Sequence, residues 1–152
     1  LSYNYGAKNV DRVRGTFRLL LKVSVGYAVI LWLCVELFPQ IFVSMFTSDA
    51  ALLAFSKTAL RVYMAAMFMF GIQIACQMAF TSFGKAKASI AVAVTRKFIL
   101  LLPLIYLLPH ILTGNKTNAV YMAEPIADFL AVSFTTVLFT FQFRKVLKEL
   151  EG

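Results

Sequence analysis

The chain has 152 residues, of which 61% are hydrophobic and 14% charged, and its mean hydropathy is +0.79. Disorder needs the opposite balance, and ordinary soluble domains hold about half apolar and a quarter charged residues. A bilayer-crossing helix needs about 20 mostly apolar residues, so this composition fills about four such helices and reads as a membrane protein.

The net charge of +8, from 15 Lys and Arg against 7 Asp and Glu, does not indicate a nucleic-acid partner. The basic residues fall in short clusters between apolar runs, where no basic amphipathic face with interleaved aromatics forms. In a membrane protein that distribution encodes topology. Residue 1 is Leu and the opening residues are loop-like, so the chain is expected to be a piece of something longer.

Four apolar runs follow in order, at about 17–38, 59–83, 90–112 and 119–143. Continuous apolar stretches of this length predict helices; outer-membrane barrel strands would alternate over about ten residues. The expected fold class is therefore all-α and polytopic, with four transmembrane helices. Phe38-Pro39-Gln40 and Thr47-Ser48-Asp49 close the first run, and Ile41–Phe46 either extends it or lies at the interface. Phe83-Gly84-Lys85 ends the second run, with Gly84 as the turn residue, and Pro109-His110 with Thr113-Gly114-Asn115 ends the third. Pro103 and Pro109 are expected to kink the third helix.

Lys8, Arg12, Arg14 and Arg18 precede the first run, and Lys85, Lys87, Arg96 and Lys97 are assigned to the second connection. Arg144, Lys145 and Lys148 follow the last run, whereas the first and third connections hold only Asp49 with Lys57, and Lys116. Basic loops favour the cytoplasmic side, so both termini and the second connection are expected there. Asn115-Lys116-Thr117 is a glycosylation sequon on the expected outer side.

Ionisable groups within a span are expensive and are functional candidates by default. Glu124 and Asp128 are four apart and share a helix face, with Pro125 between them freeing a carbonyl one turn back. Two neighbouring carboxyls in low dielectric suit proton or sodium coupling; a helix cap and one structural hydrogen bond are the alternative. Gln73, Gln77 and Thr81 form a polar stripe on the second helix. It faces either a ligand cavity or another helix. Gly71, Ala75 and Ala79, and Ala123, Ala127 and Ala131, allow close helix packing. Lys22, Glu36, Arg61 and Arg96 are read as helix-end residues that report topology.

Cys34 and Cys76 both lie in apolar runs, which suits packing rather than a disulfide framework. The single histidine, His110, has no metal-ligand spacing to other residues, and no nucleophile elbow or P-loop occurs. The chain is read as a non-enzyme without a metal site.

Several ordered stretches resemble the multidrug and toxic compound extrusion (MATE) transporters. Leu1-Ser2-Tyr3-Asn4-Tyr5-Gly6-Ala7-Lys8-Asn9 with Arg12-Val13 is similar to the loop entering their ninth helix. Phe83-Gly84-Lys85-Ala86-Lys87 with Arg96 resembles the basic loop between their tenth and eleventh helices. Leu102-Pro103-Leu104 through Pro109 resembles the eleventh helix, and Glu124-Pro125-Ile126-Ala127-Asp128 the opening of the twelfth. Thr81 departs from the glutamine many relatives carry there.

The resemblance implies the last four helices of a twelve-helix, two-lobed antiporter, with the preceding eight helices and the lipid bilayer as partners. It implies export of cationic or amphipathic drugs against sodium or protons at the plasma membrane, without a cofactor. Asp128, Glu124, Gln73 and Gln77 are the transport candidates; Pro103, Pro109, Pro125 and Gly84 are structural. A lipid-linked oligosaccharide flippase fragment and a self-standing four-helix membrane protein are the other readings; the flippase would favour a more basic central cavity.

Overall fold

The structure, a computed structural model, describes residues 1–111 and 116–151. The turn expected at Thr113-Gly114-Asn115 and the sequon's Asn115 lie outside the described residues. Among the described residues there is no strand. Four helical stretches are long and apolar enough to cross a membrane: Val10–Leu37, Ala50–Ser82, Ala86–Ile111 and Thr117–Glu151.

A short helix, α1 (Ser2–Gly6), precedes the first span, α2 (Val10–Leu37). The Asn9 side chain starts α2 by accepting a hydrogen bond from the Arg12 backbone N–H at 3.0 Å, satisfying one of the orphan donors of a helix start. Arg12, Arg14 and Arg18 are therefore helical extensions of the span. Phe38 precedes a proline, which disfavours the helical region, and α2 ends there. Pro39 then opens α3 (Pro39–Ser44), its missing N–H harmless at a helix start. The 41–46 segment thus belongs largely to a separate short helix.

The second span begins at an Asp49 cap on the Leu52 N–H, 2.8 Å away. It starts earlier than the apolar run because Ser56-Lys57-Thr58 interrupts the hydropathy without interrupting the helix. It is also broken. α4 (Ala50–Met64) gives way to a 3₁₀ turn at Met67–Met69 before α5 (Phe70–Ser82) resumes. Gly84, at φ +69°, makes the turn that follows, a conformation glycine adopts without steric cost. The third span is α6 (Ala86–Val94), a π-helical stretch at Thr95–Leu101, and α7 (Leu102–Ile111). Pro103 sits just past the wide turn, where its ring would collide with the Ile99 carbonyl in a regular α-helix. The kink expected from Pro103 takes this form, and Pro109 remains inside α7. The last span, α8 (Lys116–Glu151), runs through Pro125.

Small residues set the helix spacing. Ala75, Ala79, Ala123, Ala127 and Ala131 are all buried. Val13, Cys76, Phe80, Phe83, Val92, Phe139 and Val146 form the main apolar cluster. The Phe139 ring stacks on Phe17 and Phe143, at centroid distances of 4.6 and 5.2 Å, and meets Phe80 edge-on. Both cysteines are free. Many large apolar side chains point outward, Ile30, Phe98, Phe129 and Phe141 among them, which suits a surface in contact with lipid.

α2 and α5 meet most closely at Gly71. A Cβ there would collide with the Ser24 carbonyl oxygen and the Val25 backbone. Gly26, on the same α2, has open space around it. Gly71→Ala is therefore expected to destabilise the fold by about 1–3 kcal/mol, the usual penalty for overpacking. Gly26→Ala should be neutral or stabilising by up to about 1 kcal/mol through helix propensity. Thermal unfolding of the two variants in one detergent checks this; equal melting temperatures would contradict the close approach.

Candidate functional site

Glu124 and Asp128 project from the same face of α8 and are 7% exposed each. The group they face is Arg96, in the π-helical stretch of the third span. Its Nε donates to Asp128 Oδ1 at 2.5 Å and its Nη2 donates to Glu124 Oε1 at 2.9 Å. One guanidinium thus bridges two carboxylates, using separate edges of its rigid donor fork. Its Cζ also lies 4.9 Å from the centroid of the Phe70 ring, at the start of α5. The ring adds a cation–π face to the two anionic contacts. Lys97 approaches Glu124 Oε1 at 3.5 Å from a half-exposed position. Two cations and two carboxylates make the group formally neutral. The Tyr63 phenol, near the end of α4, interacts with the same Glu124.

The network sits deep. Arg96 is ten residues beyond the start of its span, about 15 Å at 1.5 Å per residue, or half of an approximately 30 Å hydrocarbon core. Asp128, eleven residues into its own span, reaches a similar level. This corrects the sequence reading of Arg96, which assigned it to the second connection and to a helix end. Arg96 and Lys97 are both inside the third span, and the basic charge of that connection rests on Lys85 and Lys87. The apolar run at 90–112 already contained Arg96 and Lys97, but their charge was grouped with Lys85 and Lys87 as a basic connection. The signal available was the acid pair: two carboxylates at mid-span require a counter-charge, and Arg96 is a basic residue near the middle of a span.

Arg61 also does more than mark a helix end. Its Nε and Nη2 both donate to the Glu36 carbonyl oxygen, at 3.1 and 2.9 Å, satisfying an orphan acceptor at the end of α2. Lys57 donates to Gln40 Oε1 at 3.0 Å, tying α4 to α3.

The polar stripe of α5 does not join the ion network. Gln73 is 3% exposed and its Oε1 has no hydrogen-bond partner among the described residues. Gln77 is half-buried, and its backbone carbonyl accepts from the exposed Thr81 hydroxyl at 3.1 Å. Neither glutamine is hydrogen-bonded to Glu124 or Asp128. Pro125 stands beside the acids, and with Ala65, Ala66, Phe68 and Phe129 it lines an apolar cavity of about 360 Å³ next to the break in the second span. His110 Nδ1 is 2.7 Å from the Tyr106 carbonyl in its own helix. Among the described residues no group of three or more His, Cys, Asp or Glu is placed to hold a metal ion.

Comparison with known proteins gives two matches. The family model described as MatE matches residues 1–107. A solved structure titled "protein A" is 33% identical, with a TM-score of 0.84 over 95% of this chain and 32% of that one. The chain therefore spans about a third of the length of that relative. The family match includes Arg96 and ends before the acid pair, whereas the structural match extends over nearly the whole chain. No curated protein matches.

Proposed function

Because this chain belongs to the MatE family of multidrug and toxic compound efflux transporters, we propose that it is the C-terminal part of a secondary active antiporter. That antiporter exports cationic or amphipathic compounds in exchange for sodium or protons by alternating access. The chain is a multi-pass membrane protein and its family are transporters, not enzymes. Eight further helices complete the two lobes, and a cavity between the lobes takes the drug.

The observation that carries the mechanism is the bridging of Glu124 and Asp128 by Arg96 at mid-span. A buried carboxylate pair attracts cations, and here the resident cation is a side chain from the neighbouring span. A proton or sodium ion arriving at Asp128 weakens its hold on Arg96 and so loosens the third span from the fourth. Cation binding and helix attachment then compete for one set of oxygens. That competition is a means of converting ion binding into helix movement, the differential interaction a conformational shift requires. The broken second span lies at the same depth, as do the interrupted helices that build sites in many secondary transporters. Gln73 and Gln77 are the polar candidates for the drug-facing wall.

The membrane orientation follows from the basic residues: Lys8, Arg12 and Arg18, Lys85 and Lys87, and Arg144 and Lys145 share one end of the bundle, which we place in the cytoplasm. Ser2 and Ser48 are exposed at opposite ends. In a background lacking Cys34 and Cys76, Ser48→Cys is expected to react with an impermeant thiol reagent in intact cells, and Ser2→Cys only after permeabilisation. The reverse pattern would overturn the orientation.

In the complete transporter, Asp128→Asn keeps the size of the side chain and one acceptor for Arg96 while removing the ionisable group. Efflux should fall several-fold with membrane expression unchanged, and its dependence on external pH or sodium should flatten. Full drug resistance with an unaltered ion dependence would show that Asp128 is only a helix fastener.

A further inference from the structure

A second cluster of charge lies at the end of the bundle where the second span turns into the third. Lys85, Lys87 and Lys145, with Gln142, Gly84, Ala86 and Ala88, line a cavity of about 560 Å³. Lys85 and Lys87 come from the turn and first residues of α6, and Lys145 from α8, so the cavity lies between two spans. No carboxylate lines it. Among the described residues none of the three lysine side chains forms an ion pair or hydrogen bond. Glu151, one of the acids near this end, is held by Arg14 at 3.2 Å.

The surface beneath these lysines is apolar and exposed. Ile90 and Val94 follow Lys87 by three and seven residues, on the same face of α6. Phe141 and Val137 precede Lys145 by four and eight residues, on the same face of α8. Ile90 is 62% exposed and Phe141 70%. Lys87 and Lys145 thus each stand at the head of an apolar lane running toward the middle of the membrane, with Lys85 beside them in the turn.

We propose that this pocket binds the headgroup of an anionic phospholipid, whose acyl chains lie along the Ile90–Val94 and Val137–Phe141 lanes. The phosphate accepts hydrogen bonds from the three ammonium groups, and Gln142 offers an amide to the polar part of the headgroup. Ammonium groups gathered at a span boundary recognise the charge of the headgroup, while the lanes require that the phosphate be attached to hydrocarbon. A zwitterionic lipid supplies the chains without the net charge, and free phosphate supplies charge without the chains. The bound lipid bridges α6 and α8 below the Arg96 network and neutralises a cluster of lysines that otherwise repel one another.

The test is retention of phosphatidylglycerol and of phosphatidylcholine with matched chains by the purified complete transporter in neutral detergent, counted by native mass spectrometry. Phosphatidylglycerol should be retained in preference by about a hundredfold, on the order expected for three lysines near an anionic headgroup. The Lys85→Gln, Lys87→Gln, Lys145→Gln triple variant should lose that preference. The corresponding Lys→Arg triple variant should keep it, which separates charge recognition from misfolding. Removing equal charge at the same end by Lys8→Gln, Arg12→Gln and Arg18→Gln should leave it intact. Equal retention of the two lipids, equal loss in both neutralised triple variants, or displacement of the lipid by inorganic phosphate at equal concentration would each overturn the proposal.

Discussion

The guanidinium of Arg96 is the group on which the arrangement of the last two spans depends. Without it, α8 would carry two carboxylates at mid-membrane, each with an effective desolvation penalty of several kcal/mol. With it, each carboxylate has a donor within 2.9 Å or less, and the guanidinium itself is shielded by the Phe70 ring. Because the donors belong to one span and the acceptors to the next, the electrostatic satisfaction of both is possible only when the spans lie together. Helix packing in lipid lacks the hydrophobic drive it has in water, which raises the weight of such a directional contact.

The backbone irregularities of the bundle gather around that contact. The third span widens into a π-helix over Thr95–Leu101, which includes Arg96. The second span breaks at Met67–Met69, immediately before Phe70. The fourth carries Pro125 between the two acids. Non-regular backbone at membrane depth survives only where it is buried in protein or lines a cavity, and here it surrounds the charged group. Elsewhere the spans are regular and are brought together by glycine and alanine, as at Gly71 against Ser24. Small residues thus close the packing between α2 and α5, whereas the junction among the second, third and fourth spans is held by the charged group and the irregular backbone around it.

Much of this organisation is legible in the amino-acid sequence, for clear reasons. Long apolar runs report spans because length and hydropathy are what hydrocarbon selects. The alanine stripes and the Pro103 distortion follow from residue geometry. Helix ends are less legible, since Asn9 and Asp49 start helices well before hydropathy rises. Arg96 shows the main limit: it falls inside the 90–112 run, yet its charge reads as topology when it is counted with Lys85 and Lys87. Its true position is set by Glu124 and Asp128, 28 and 32 residues away, a pairing no local pattern contains. The break at Met67–Met69 is similarly tertiary, since that stretch contains no glycine or proline to announce it.

The central claim is that Arg96 and Asp128 act as one unit across two spans. A double-mutant cycle with Arg96→Gln, Asp128→Asn and the combined variant measures this directly, by unfolding in detergent and by efflux in the complete transporter. Removing one partner of a buried pair typically destabilises by about 3–5 kcal/mol because the other charge is left uncompensated. Arg96→Gln should therefore be strongly destabilising, and adding Asp128→Asn should restore part of the lost stability while efflux stays low. Additive effects, with the double variant as unstable as the sum of the singles, would contradict the account.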